Sequence, residues 1–473
     1  MMQSVTNLHA RRFSIFFLTE MWERYGFYVI QTLLIFYLSN QLHLDDKSSY
    51  VIVGSFTALS YINCIFGGLI ADKLIGSSRC ILLGGVLLFI GYTVLGLSYN
   101  NITLDLGLAV ISIGTGLLKP NVSGLLSSIY RDDETKKENG YTLYYVGIYV
   151  GAISGSFIGG YIHAGFGWSL AFFSSALGGL IAFVTFLYGI YKFKLIDTRH
   201  IDIKMFTYVY ALICISILMV VAYLVIHSSS LGTAYFIVVG ILCLVYLLTT
   251  IINHRGMQRR KLIAFTILIL ISVLYWGIYF QQFFSVSLCL ARACKLSLPA
   301  SSFSSIESLG VILCGPLIIK LWDYFKSRDK NVSIATRFSL GYLCNALGFL
   351  VICGGLWFAI KTDQYLYSAF IAIAYLMIAI GELCLSPTSL SMVSTLVPKG
   401  YNSVMTGISL LSIGFGGKLA GMLAGNSDTI NTSMLANIQQ GYLSLFLGYF
   451  SLSIVAFIFM FAIRKYINKL ISS

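Results

Sequence analysis

The chain has 473 residues, of which 58% are hydrophobic and only 10% are charged. Because soluble domains carry roughly 25% charged residues, this composition excludes an ordinary soluble globule. The formal net charge is +13 at pH 7. Most Lys and Arg lie in short loops between apolar segments, which is typical of membrane proteins and argues against a nucleic-acid partner.

Fourteen apolar segments follow one another along the chain, each long enough for a helix to cross a hydrocarbon core of ~30 Å. The predicted spans cover residues 13–39, 50–72, 79–99, 104–129, 140–163, 168–192, 205–226, 232–253, 261–290, 299–325, 334–360, 365–394, 402–424 and 438–465. The first is too long and too charged to be a cleaved signal peptide. A cytoplasmic N-terminus places most loop Lys and Arg inside, so both termini are expected in the cytoplasm.

These spans predict an all-α polytopic membrane protein with two six-helix bundles and an additional helix pair. The predicted segments are a cytoplasmic N-terminus over 1–12, an N-terminal bundle over 13–192, a linker with the extra pair over 193–260, a C-terminal bundle over 261–465 and a cytoplasmic tail over 466–473. The stretch from Gly68 to Arg79 resembles the loop motif GxLADrxxGrr of the major facilitator superfamily, which implies that fold. Asp72 and Arg79 would then form a cytoplasmic gate, the alternative being a solvated turn.

The sequence patterns of common enzymes and metal sites are missing. The ten Cys are scattered through apolar spans, the six His show no metal-ligand spacing, and no HExxH, GxSxG or GxxxxGK[ST] motif occurs. We therefore expect no enzyme, no cofactor and no metal site, and buried thiols rather than disulfides.

Seven charged residues lie deep inside apolar spans, where a charge costs at least ~2.5–3.5 kcal/mol and therefore faces a cavity or a partner. They are Glu20, Glu23, Arg24, Lys119, Glu307, Glu382 and Lys418. Together they predict a polar path through the protein interior.

Glu20, Glu23 and Arg24 share one helical face because they stand at i, i+3 and i+4. Two carboxyl groups beside one guanidinium can share a proton, since Arg24 offsets one negative charge while repulsion disfavours the second. The alternative is a purely structural ion pair. Further along, Lys119 and Glu382 could hold the carboxylate and ammonium ends of a zwitterion.

Three motifs resemble those of the proton-dependent oligopeptide transporter family, bacterial type. They are Glu20-Met-Trp-Glu23-Arg24-Tyr25-Gly26-Phe27-Tyr28 in helix 1, Gly116-Leu-Leu-Lys119-Pro120-Asn121 in helix 4 and Gly381-Glu382-Leu-Cys-Leu-Ser386-Pro387 in helix 10. The resemblance implies symport of di- or tripeptides with protons across the bacterial inner membrane, by a protein that works as a monomer in the lipid bilayer and is driven by the proton gradient.

The resemblance also implies roles for individual residues. Proton coupling would involve Glu20, Glu23, Arg24 and Glu382. Arg24 and Lys119 would serve the carboxylate end of the peptide and Glu382 its amino end, while Tyr28 and Tyr61 would line the pocket.

Four pocket positions depart from the family pattern, which implies a reshaped pocket. Tyr149 stands where Asn is common, Phe280 replaces a Glu immediately before Gln281, Glu307-Ser308 replaces Asn-Pro, and Ser409 replaces Trp. A different substrate, such as an amino acid, a peptide-like compound or an anion, therefore remains an alternative, and a non-transporting membrane sensor is a remoter one.

Glu307 has three possible roles. It could relocate the missing helix 7 proton site to helix 8, supply a second anion for a cationic substrate, or pair with Lys418 as a structural bridge. Sequence alone leaves these roles open.

Overall fold

The computed structural model of the chain describes residues 2–130, 134–196, 205–328, 332–398, 400–425 and 434–472. The predicted basic loops lie partly outside these residues, at 131–133, 197–204 and 329–331. The α-helices in the described part are α1 Met2–Phe36, α2 Asp46–Ile70, α3 Ser77–Gly96, α4 Asn101–Ile129, α5 Glu134–Phe166, α6 Trp168–Phe193, α7 Met205–His227, α8 Ser229–Asn253, α9 Gly256–Tyr279, α10 Ser285–Ala293, α11 Ser304–Lys326, α12 Ile334–Thr362, α13 Ser368–Leu396, α14 Asn402–Ala424 and α15 Leu435–Ser472.

Two helices continue through π-helical turns, α1 over Tyr37–Gln41 and α2 over Ala71–Ile75. A 3₁₀ turn over Phe280–Phe283 joins α9 to the short α10, and another over Ala300–Phe303 precedes α11. The helix α9 and its continuation α10 together form one predicted span, interrupted near its C-terminal end.

The prediction of an all-α polytopic protein is confirmed. Among the described residues, 13 helical segments are long and apolar enough to cross a membrane, beginning with Asp46–Ile75. The helix α1 is not one of these because Glu20, Glu23 and Arg24 reduce the hydropathy of its middle. The predicted terminal segments are helical as extensions of α1 and α15, over residues 2–12 and 466–472.

The chain divides into two compact units, residues 1–43 with 55–232 and residues 44–54 with 233–473. The division falls inside the predicted extra helix pair, since α7 belongs to the first unit and α8 belongs to the second from Thr233 onward. The segment boundaries derived from the sequence stay predictions.

In the first unit, α1 packs on α5 and α6, and α3 packs on α4 and α6. A row of glycines on α5 makes the contact with α1 unusually close. Gly147, Gly151, Gly155 and Gly159 follow one another at intervals of four and so share one face of the helix. A Cβ atom at these positions would meet, in order, Phe17, Met21, Tyr25 and Val29 of α1. This small-residue face lets the two backbones approach directly. It also fixes the axial position of α1 along α5.

In the second unit, α12 packs on α13 and α15, α9 packs on α14, and α11 packs on α13. The start of α2 belongs to this unit and is tied to α10 by an ion pair. The Nη1 and Nη2 atoms of Arg292 donate to the carboxylate of Asp46 at 2.6 and 2.7 Å. This bidentate geometry is the strongest form of such a pair. Immediately before it, Asp45 caps α2 by accepting from the Ser48 amide at 3.0 Å, and its hydrogen bonds with Ser48 lower the pKa of the Asp45 carboxyl.

We predict that Gly155→Ala destabilises the protein by about 1–3 kcal/mol, because the added methyl group overlaps the Tyr25 backbone and a well-packed contact does not yield freely. The matched control is Gly165→Ala on the same helix, where the new Cβ meets nothing within 4 Å beyond its chain neighbours and the backbone of its own helix. Thermal unfolding in detergent checks both variants. Equal melting temperatures for the two variants would contradict direct contact between the backbones.

Candidate functional site

The first unit contains a buried cluster of two acids and one base on α1. Glu20 and Glu23 are 0% exposed and Arg24 is 2% exposed. Both Nε and Nη2 of Arg24 donate to the Glu23 carboxylate, the second at 2.5 Å, and Nε lies 3.5 Å from Oε1 of Glu20. The predicted i, i+3, i+4 grouping is therefore present in the structure.

Glu20 is the less well satisfied acid of this cluster. Its carboxyl group has only loose partners, the Tyr144 hydroxyl and the Nε atom of Arg24 at 3.5 Å, whereas Glu23 accepts two hydrogen bonds from Arg24. A buried carboxylate with loose partners is costly, and binding a proton removes that cost. Glu20 is therefore the acid of the cluster best placed to hold a proton.

Lys119 approaches the same cluster from α4. Its Nζ atom lies 4.5 Å from the centre of the Tyr61 ring of α2, a cation–π contact. The charges of Lys119, Arg24, Glu23 and Glu20 all act on the buried Cys64 of α2. These four charges lie on two helices, α1 and α4, close to Tyr61 and Cys64 of α2.

The local backbone explains how Lys119 is positioned. It precedes Pro120, which has no amide hydrogen for the helical ladder. The side-chain amide of Asn121 donates to the carbonyls of Leu117 at 2.7 Å and Gly67 at 3.2 Å, and so links α4 to α2. These bonds hold the helix where the proline weakens it.

The two other predicted pocket residues of this unit are tyrosines. Tyr28 is half-buried on α1, and its hydroxyl interacts electrostatically with Arg24. Tyr149 is half-buried on α5, two residues before Gly151 of the glycine face. Both lie on the helices that carry or support the charged cluster.

The second unit contains another acidic cluster, built by three helices. The Tyr279 hydroxyl at the end of α9 lies 3.1 Å from Oε1 of Glu307 on α11 and 3.0 Å from Oε2 of Glu382 on α13. Ser308 donates to the other oxygen of Glu307 at 3.0 Å. Glu307 is 1% exposed and Glu382 is 9% exposed. The structure thus brings together two predicted site residues.

The other two predicted site residues of this unit, Gln281 and Ser409, have buried side chains that lie near backbone carbonyls of the same unit. The Gln281 amide donates to the carbonyls of Gly277 at 3.2 Å and Ala420 at 3.0 Å and accepts from Ser285 at 2.7 Å. Its amide group therefore stabilises the interruption between α9 and α10. Ser409 is buried on α14, with its hydroxyl 3.5 Å from the Ser389 carbonyl.

The proposed Glu307–Lys418 bridge is not formed. Among the described residues, Glu307 contacts Tyr279, Ser308 and Glu382. Lys418 instead places its Nζ atom 5.2 Å from the centre of the Phe236 ring. Of the three roles considered for Glu307, the structural bridge to Lys418 is therefore not supported by the structure.

The predicted cytoplasmic gate residues flank the turn between α2 and α3. Asp72 is exposed in the π-helical turn, and Gly76 follows with a φ of 80°, which favours glycine. Arg79 donates to the Ile75 carbonyl at 3.1 Å, and its guanidinium carbon lies 5.7 Å from the centre of the Tyr208 ring of α7. Arg79 therefore joins the loop motif to the first helix of the extra pair.

Sequence reasoning missed Tyr279, and it named Ser308 as part of the Glu307-Ser308 pair without assigning it a role. Tyr279 directly precedes Phe280, the position noted for its missing acid, and Ser308 directly follows Glu307. Their adjacency in sequence to these two positions was the only signal available. Hydrogen bonds that join three helices can be identified only once the folded structure is known.

Comparisons with known proteins agree with this architecture. The family model described as POT family matches residues 78–440. The chain is similar to dipeptide and tripeptide permease B of Salmonella typhimurium, with 26% identity over 98% of this chain and 96% of that protein. It is also similar to dipeptide and tripeptide permease B of Shigella dysenteriae, with 30% identity over 85% of this chain and 84% of that protein.

A solved structure confirms the predicted major facilitator fold. It is the crystal structure of a peptide transporter POT in complex with sulfate, which shares 23% identity and superposes with a TM-score of 0.85. The match covers 98% of this chain and 96% of that one. At this level of identity the likeness concerns the fold.

We predict that Arg24→Lys lowers the free energy of unfolding by about 1.5–3 kcal/mol, because a single ammonium cannot reproduce the paired hydrogen bonds to Glu23. Arg11→Lys, at an exposed position of the same helix, should stay within about 0.5 kcal/mol of the parent. Melting temperatures in detergent measure both changes. An Arg24→Lys variant as stable as Arg11→Lys would show that the paired geometry contributes nothing.

Proposed function

Since the chain belongs to the POT family, we propose that it takes up di- and tripeptides together with protons. The observation that carries the proposal is the buried cluster on α1, in which one guanidinium faces two carboxyl groups. The relatives named as dipeptide and tripeptide permeases supply the substrate class.

The cluster supports coupling through its charge balance. Arg24 is engaged by Glu23 and approached by Glu20. A peptide carboxylate that binds Arg24 competes with both acids, and the acid that it releases is left buried without its cation. A proton offsets that charge, so carboxylate binding and proton binding favour each other, as reciprocal linkage requires. This sign is the one that symport needs.

Lys119 extends the same cationic surface. Its cation–π contact with the Tyr61 ring favours one orientation of the side chain. We propose that Arg24 and Lys119 bind the carboxylate end of the peptide and that Glu382 binds the amino end. Tyr28 and Tyr149 would contact the peptide from α1 and α5.

Transport follows by alternating access, the general mode of this fold. The membrane potential contributes ~2.3 kcal/mol per 100 mV for each proton that enters the cytoplasm. We propose the bacterial inner membrane as the location, cytoplasmic termini and a monomer as the working unit.

A second candidate is a carrier of another small substrate. Four positions, Tyr149, Phe280, Glu307 and Ser409, differ from the family pattern, and two of them alter charge. Thermal stabilisation of the purified protein by dipeptides, tripeptides, amino acids and anions separates the candidates, because a bound ligand raises the melting temperature.

We predict that the protein in liposomes accumulates labelled di-alanine under an imposed inward proton gradient and that a protonophore abolishes the accumulation. Lys119→Ala, Arg24→Ala and Glu382→Ala should each reduce active uptake at least about tenfold, since each removes a charge worth 1.4 kcal/mol or more of substrate binding.

The matched control is Arg11→Ala, which removes an exposed cation from the same helix as Arg24. It should transport like the parent protein. Active uptake at the parent rate in all three site variants would refute the site assignment. Parent protein that accumulates no labelled peptide in liposomes would refute the proposed function.

A further inference from the structure

A groove lies between the N-terminal parts of α3 and α7 in the first unit. Leu82 and Leu83 line it from α3, and Ala211 and Leu212 line it from α7. Its volume is about 270 Å³, whereas a dry apolar cavity of about 150 Å³ already takes up a benzene molecule. The groove therefore has room for a segment of a hydrocarbon chain.

Two side chains of a different character lie at the beginning of the groove. Arg79 and Tyr208 also line it, and each stands about one helical turn before the apolar lining residues of its own helix. The guanidinium carbon of Arg79 lies 5.7 Å from the centre of the Tyr208 ring, a cation–π contact. The groove is therefore polar near the starts of α3 and α7 and apolar further along them.

The apolar part of the groove faces the surroundings of two spanning helices. Both α3 and α7 are long and apolar enough to cross a membrane. Leu212 is 52% exposed, and Leu82 and Leu83 are half-buried. Walls of leucine and alanine offer no hydrogen bonds to water, and such cavities take up apolar groups. In a bilayer, the apolar group at hand is an acyl chain.

Positive charge predominates at the polar end. In residues 71–80 and 194–196, the cations are Lys73, Arg79 and Lys194 and the acid is Asp72. Lys194 belongs to this end because the next residue, Leu195, accepts a hydrogen bond from the Ser78 hydroxyl at 3.0 Å. Basic pockets between transmembrane helices bind the headgroups of anionic lipids. The charge of this end thus complements a phosphate.

We propose that the groove binds a phospholipid of net negative charge, with an acyl chain between α3 and α7 and the headgroup phosphate at Arg79. A guanidinium has five N–H donors in a planar fork, so it can donate both to the Ile75 carbonyl at 3.1 Å and to a phosphate. Such charge-assisted hydrogen bonds are stronger than those between neutral groups. None of the residues that line the groove belongs to the charged cluster on α1.

The bound lipid extends the packing of α7. That helix contacts α4 and the π-helical turn Ala71–Ile75, and an acyl chain in the groove adds a contact with α3. A ligand that binds the folded protein and not the unfolded chain raises stability by mass action. Anionic lipid therefore stabilises the folded protein without any peptide.

Melting temperatures of the delipidated full-length protein in an uncharged detergent test the site. We expect dioleoyl phosphatidylglycerol to raise the melting temperature of the parent protein by at least about 2 °C. Dioleoyl phosphatidylcholine has the same chains without net charge, and glycerol phosphate has the charge without the chains, so each should give less than half of that shift. An equal shift with either compound, or no shift with phosphatidylglycerol, would overturn the proposal.

Arg79→Gln tests the headgroup contact, since Gln keeps a hydrogen-bond donor but not the charge. We expect the affinity for phosphatidylglycerol to fall about tenfold, as measured by native mass spectrometry of a lipid titration. The matched control is Arg11→Gln, which removes an exposed cation from α1 and should bind like the parent protein. Equal affinity in the two variants would show attraction by overall positive charge and would remove the site.

Ala211→Leu tests the apolar part with every charge kept. The larger side chain occupies part of the groove, so phosphatidylglycerol should bind at least about fivefold more weakly. The control Val220→Leu adds bulk at a position of α7 that is 60% exposed and outside the groove, and it should bind like the parent protein. Parent-like binding in Ala211→Leu would contradict the proposal even if Arg79→Gln did not fold.

No peptide takes part in these measurements. A parent protein that binds phosphatidylglycerol in this manner but takes up no peptide would defeat the proposed function and leave the lipid site standing. A parent protein that takes up peptide but gains no stability from phosphatidylglycerol would do the reverse.

Discussion

A buried charge must be neutralised by a partner, and this constraint organises both units of the protein. The acidic cluster of each unit holds two carboxyl groups that are almost fully enclosed, and in each cluster a polar side chain of the same unit bonds to at least one of them. Arg24 offsets one acid of α1, and the single hydrogen of Tyr279 serves one acid of the α11–α13 pair. A buried carboxylate that loses its partner is costly, and a proton removes that cost. The packing therefore decides how strongly each acid depends on its partner.

The packing that holds these clusters uses features that are unfavourable in ordinary helices. The glycines of α5 lower its helix propensity, yet they let α1 approach so closely that Gly151 lies against Arg24 and Met21. Pro120 removes a helical hydrogen bond next to Lys119, and Asn121 restores a link between α4 and α2. The interruption after Tyr279 is stabilised by Gln281. In each case a local weakness of the helix lies beside a side chain of the two clusters and is compensated by a neighbouring contact.

Much of the fold could be predicted because the membrane imposes it. Helix lengths follow from the thickness of the hydrocarbon layer, and the fourteen predicted spans match the helical segments within a few residues at most ends. The Glu20, Glu23 and Arg24 cluster was predictable because its members lie on one helix at fixed spacing. The carboxyl pair was not, since Tyr279, Glu307 and Glu382 meet only when three helices are packed. The predicted pairing of Glu307 with Lys418 was wrong for the same reason. The charges of two residues do not show whether their side chains meet in the folded protein.

Relative to the family pattern that the sequence resembles, the residues around Tyr279 replace an acid after α9 by an acid on α11. Sequence resemblance places an acid at position 280, but this chain has Phe280, which is 4% exposed and packs beside the rings of Trp276 and Tyr279. The next residue toward the N-terminus of that helix, Tyr279, directs its hydroxyl to Glu307 and Glu382. An acid introduced on α11 therefore reaches the acid of α13 through a group that belongs to α9. The Tyr279 hydroxyl thereby links three helices, α9, α11 and α13. The loss of one carboxyl group and the gain of another thus keep a second buried acid beside Glu382, with a different helix supplying it.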